Sequence, residues 1–130
     1  MPQAPAPATT TSPTSSPAAV VSKAVVRAAR LLGLNNAALA DVIGLSEATV
    51  SRLAAGKYTL DWQSKSYELA LLLVRLYRSL DAMVGSEEKP LRAWMRSRNL
   101  ALEAVPVEQI RTIPGLVEVV AYVDSARARI

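Results

Sequence analysis

Apolar residues recur along this chain at the three- and four-residue intervals of amphipathic helices. Val21, Val25, Ala28 and Leu32 make the first stripe, with Lys23, Arg27 and Arg30 on the opposite face. Leu39, Ala40 and Ile43 give a second, short helix one apolar side, and Val50 and Leu53 do the same for a third. From about Ser64 to Val84 the pattern changes: Leu69 to Val74, with Leu76, Tyr77 and Leu80, leaves a long helix apolar on nearly every side. Such a helix belongs at the centre of a fold or in a subunit interface. So short a chain has little material to wrap it, and the expectation is a homodimer joined through Leu69, Leu72, Leu73, Leu76 and Leu80. Further on, Ser86-Glu87-Glu88 is read as a cap, Leu91, Trp94 and Met95 as the inner stripe of the next helix, and Asn99 as its exit. Pro106 starts a short helix through Val107 and Ile110, which Pro114-Gly115 breaks. A last helix carries Leu116, Val119, Val120 and Val123, with Ile130 in phase. The class is all-α.

The second and third helices are joined in a specific way. Gly44 supplies the backbone freedom to leave the first of the pair, and Ser46 is a good N-cap for the second. Gly56 stands where a left-handed conformation ends a helix at little cost. This is helix-turn-helix spacing, which would lay the helix after Ser46 in a DNA major groove; the alternative is a helical hairpin that only packs. Ser46, Glu47, Ala48, Thr49, Ser51 and Arg52 are then the residues free to face bases or phosphates. Thr49 and Ser51 can bond either, Ala48 can touch a thymine methyl, and Arg52 suits guanine or phosphate. Lys57, Lys23 and Arg27 could hold the flanking backbone, although Lys23, Arg27 and Arg30 read equally well as a solvated face.

Composition narrows the rest. Of the eight prolines, five fall in residues 1–17, which hold no charged side chain and are expected to be a disordered arm. The remaining chain divides at about residue 62, into a helix-turn-helix domain (18–62) and a helical dimerisation and partner-binding domain (63–130). The 130 residues include no Phe, and Leu, Val and Ala must fill the core. Cysteine is absent, which excludes disulfides and thiolate metal sites and fits a cytoplasmic location. No stretch is apolar and long enough to span a membrane. With neither His nor Cys, the usual general base and thiol nucleophile are missing, no phosphate-binding glycine loop occurs, and no cofactor or metal is expected. The net charge of +4 suits a polyanion, yet residues 18–62 carry only five basic against three acidic side chains. One copy should therefore bind DNA weakly, and useful affinity should need a dimer or larger assembly.

Leu39-Ala40, Gly44-Leu45-Ser46, Thr49-Val50-Ser51-Arg52 and Gly56-Lys57 together resemble the Xre-like, phage-repressor type of helix-turn-helix. Many members carry Gln near the start of the recognition helix; here Glu47 and Ala48 stand there, so no base preference carries over. Ala93-Trp94-Met95, Ser97-Arg98-Asn99, Ala101-Leu102, Pro106, Ile110 and Gly115 resemble the toxin-binding domain of Xre/ParS-type antitoxins. The resemblance implies a type II antitoxin that forms homodimers, binds the operator of its own operon and neutralises a RES-like, NAD-targeting toxin. It points to Trp94, Arg98, Asn99, Arg127, Arg129 and Ile130 as candidate toxin contacts, with the basic tip plugging a pocket made for a pyrophosphate. The helical phase of Trp94 with Leu91 favours core, while Asn99 reads equally as a helix cap and the tip as a frayed end. The other readings are a stand-alone transcription regulator and a structural adaptor that never touches DNA.

Overall fold

The computed structural model describes residues 16–85 and 87–129. The arm expected over 1–15, Ser86 and Ile130 lie outside the described residues. Seven helices follow in order: α1 (Pro17–Leu32), α2 (Asn36–Ile43), α3 (Glu47–Ala54), α4 (Lys65–Val84), α5 (Glu88–Arg96), α6 (Pro106–Gln109) and α7 (Ile113–Ala128).

Caps fix most of the helix starts. The hydroxyls of Ser16, Ser46, Ser64 and Thr112 and the Asn35 carboxamide each accept a backbone N–H in the first turn of α1, α3, α4, α7 and α2. Pro17, assigned to the arm on composition, is the first residue of α1, a position where its missing N–H costs nothing. The N-cap of α5 is Glu87, whose side chain makes no capping bond.

The centre of the fold is α4. It lies beside α1 on one side and α7 on the other, and its Leu69, Ala70, Leu73, Leu76 and Leu80 are buried in one continuous core with Val25, Leu32, Ile43, Leu116, Val119 and Val123. This corrects the expected dimer interface. Leu69, Leu73, Leu76 and Leu80 are used up inside the monomer, and of the five leucines only Leu72 keeps partial exposure. The material thought too scarce to wrap α4 is supplied by two 16-residue helices, one from each end of the described chain.

Polar ties cross between the halves as well. Arg111 meets Asp41 of α2 at 3.6 Å, and Arg92 of α5 donates to the Arg30 carbonyl at the end of α1 at 3.0 Å. Between α4 and α7, Asp124 accepts from Arg75 Nε at 2.8 Å and from the Ser79 hydroxyl at 2.6 Å.

Two further expectations change. Pro114 and Gly115 do not separate two helices but lie within the first turn of α7, after the Thr112 cap. Gly115 is there for space: a Cβ would stand 1.9 Å from the Gln109 carbonyl oxygen at the end of α6. Asn99 does not end α5, which stops at Ser97; its carboxamide accepts from Leu102 N at 2.9 Å and organises the turn that follows.

Candidate nucleic-acid and partner interfaces

The turn between α2 and α3 is built as its residues dictate. Gly44 adopts φ 73° and closes α2 through a bond to the Ala40 carbonyl. Val50 and Leu53 seat α3 on the core, which leaves Ser46, Glu47, Ala48, Ser51 and Arg52 exposed and Thr49 half-buried. Gly56, at φ 76°, ends α3, and Lys57 N returns to the Arg52 carbonyl at 2.8 Å.

At the start of α3 three side chains form a chain of hydrogen bonds. The Ser46 hydroxyl donates to Thr49 Oγ1 at 2.9 Å while accepting Thr49 N, and Arg52 Nη2 donates to the same Oγ1 at 3.2 Å. Arg52 is thereby held along the outer face of α3 instead of trailing into solvent. The Thr49 hydroxyl spends its acceptor capacity on this chain and keeps its proton for an acceptor outside, such as a phosphate oxygen or a base edge. Glu47, exposed in the first turn, is the one acid on this face of the helix. Lys23 and Arg27 are exposed on α1 and border the far end of α3, at Leu53 to Gly56, while exposed Lys57 follows it.

The candidate contacts of the second half are spread out. Trp94 is half-buried and stacks on Tyr122 of α7, with ring centroids 6.4 Å apart, so it ties α5 to α7. Asn99 is committed to its turn. Arg98 is exposed next to it. Arg127 donates to Ser79 Oγ at 3.2 Å and Arg129 to Ser125 Oγ at 3.4 Å; both are otherwise exposed, at the far end of α7 from the Arg98 turn's neighbour α6. Ile130 lies outside the described residues. Among the five described residues, no hydrogen bond or ring contact joins one to another.

Sequence reasoning missed Leu100, 88% exposed at the tip of the turn that Asn99 organises. That turn is fixed at both ends, by the Asn99 carboxamide and by Asn99 N bonding to the Ala104 carbonyl at 2.8 Å, and Glu103 takes a positive φ of 55° within it. A lone Leu between Asn and Ala carries no periodic signal, which is why the sequence alone did not single it out. Arg78, exposed on α4, was missed for a different reason: it sits inside a helix read as apolar on nearly every side.

Among the described residues no cluster of metal-binding side chains occurs, and no helix is long and apolar enough to cross a membrane. Two family models match the chain. The antitoxin Xre-like helix-turn-helix domain covers residues 14–75, and the antitoxin Xre/MbcA/ParS C-terminal toxin-binding domain covers residues 79–129. No curated protein matches it.

Proposed function

Since the chain belongs to the Xre/ParS-type antitoxins, with a domain of that family on each half, we propose that it neutralises a RES-like, NAD-targeting toxin and represses its own operon in the cytoplasm. The observation that carries the reading is the pairing of a helix-turn-helix with a toxin-binding domain on a single packed body. Repression follows from α3, whose exposed face presents Thr49, Ser51 and Arg52 to a major groove while Lys57 and Lys23 stand beside it for the phosphates. One helix of two turns gives too few contacts for a specific site, so the operator is bound by a homodimer on two half-sites, or by a larger toxin–antitoxin assembly.

Neutralisation is by occlusion. The turn carrying Arg98 and Leu100 docks on the toxin, and the terminus beyond α7, Arg129 and Ile130, enters its active-site pocket. An exposed leucine on a rigid turn loses little entropy on burial, and an arginine fits a pocket shaped for a pyrophosphate.

The experiment is growth of cells expressing the product of the adjacent reading frame, with and without this chain. Arrest that the chain relieves supports the reading. Arrest that it cannot relieve, or no arrest, would replace it with a transcription regulator that has no toxin partner.

A further inference from the structure

Three shallow hollows follow one another across the surface where α3, α1, α4 and α7 come together. The first lies between Lys23, Arg27 and Arg30 of α1 and the end of α3 at Leu53 to Gly56. The second lies between α1 and α4 and is bordered by Arg27 and Arg78. The third reaches α7 and is bordered by Arg75, Arg78 and Arg127. Arg27 is common to the first and second, Arg78 to the second and third. No acidic side chain borders any of them.

The cations along this band differ in how free they are. Arg75 is neutralised by Asp124 at 2.8 Å. Lys23, Arg27, Arg30, Arg78 and Arg127 make no ion pair among the described residues, and the one side-chain bond of Arg127 is to a neutral hydroxyl. Five uncompensated positive charges from three helices thus form a row, although their positions in the sequence span about a hundred residues. A fold does not gather like charges for stability, since they repel. A row of this kind is matched by a regularly charged polyanion, and it begins at the end of the helix assigned to the major groove.

We propose that this band is a track for the phosphate backbone of duplex DNA, extending the contact of α3 across α4 to the end of α7. The proposal rests on the reading of α2–α3 as a DNA-binding unit. It places Arg127, inside the span of the toxin-binding domain, and Arg78, one residue before it, on the DNA, and so makes the second half of the chain part of the DNA footprint. It also offsets the thin charge of the helix-turn-helix stretch itself.

The test uses the full chain and a random-sequence duplex of about 30 base pairs, with affinity measured by fluorescence anisotropy over a series of salt concentrations. Each phosphate neutralised adds about 0.9 to the slope of log affinity against log salt. Arg78→Ala should flatten the slope by about 0.9 and the Arg78→Ala, Arg127→Ala pair by about 2, with the thermal unfolding midpoint unchanged. Lys89→Ala, which removes an equal charge from α5 outside the band, should leave the slope as it is. An unchanged slope in the double variant overturns the track. An unchanged slope together with lost toxin neutralisation assigns these arginines to the protein partner instead. Should the unaltered chain bind neither this duplex nor one taken from upstream of its own coding sequence, the reading of α3 fails, and the track with it.

Discussion

The hydroxyl of Ser22, buried in α1, accepts the backbone N–H of Leu60 at 2.9 Å and donates to the Ala18 carbonyl at 2.7 Å. This one side chain fixes the segment leaving the helix-turn-helix against the first helix. Leu60 is itself buried, so its amide depends on this hydroxyl. Ser22→Ala should therefore cost about 1–3 kcal/mol, the penalty of an orphaned buried donor, read as a lower urea midpoint with an unchanged slope. A change under about 0.5 kcal/mol would mean that the Leu60 amide finds another acceptor.

Asp124 holds α7 to α4 through two partners of different worth. The bond from Arg75 is largely solvated, so Arg75→Ala should cost no more than about 1 kcal/mol. Ser79 is buried, and Asp124→Ala leaves its hydroxyl proton without an acceptor, which should bring the loss to about 1–3 kcal/mol. Equal losses from the two substitutions, measured by denaturant unfolding, would show that the ion pair and not the buried hydroxyl holds the helices together.

Of the five glycines, Gly115 has the least room for a side chain. Alanine there puts a methyl carbon 1.9 Å from the Gln109 carbonyl oxygen, and only a backbone shift of α6 against α7 can relieve that. Gly115→Ala should destabilise by about 3 kcal/mol or more, against a gain of several tenths expected from alanine's helix propensity alone. A more stable variant would show that α6 moves aside freely.

Deleting Ala128 to Ile130 tests the tip. These residues follow the last buried position of α7, Val123, so the fold should persist. The shortened chain should bind DNA as before and lose its relief of toxin-induced arrest. Full protection by the shortened chain would move the occluding contact to the Arg98–Leu100 turn.

The helix-turn-helix was legible because its signals are local. Gly44, Ser46, Val50, Leu53 and Gly56 each act within one or two turns of chain, and each is found in the role its chemistry suggests. What covers α4 was not legible, because α1 and α7 reach it from opposite ends of the described chain and no spacing rule links them. The same apolar stripe serves an internal helix or a subunit seam. Pro114-Gly115 was misread because the pair suits a break between helices as well as a helix's first turn; the distinguishing signal is Thr112, placed to cap Gly115 N. The binding surfaces were the least legible. Trp94 and Asn99 stood out by residue type and each has a partner within the fold, whereas Leu100 and Arg78, which face solvent, had nothing in their neighbours to mark them.

Because α4 is the inner wall for α1 as well as for α7, neither half carries a complete core of its own. A protease that cut between α3 and α4 would not release an intact helix-turn-helix unit. It would leave α1 with its apolar face bare, and that fragment would unfold and be degraded in turn. Under the proposed function, clearance of this chain would be all-or-nothing: DNA binding and toxin binding would be lost in one event.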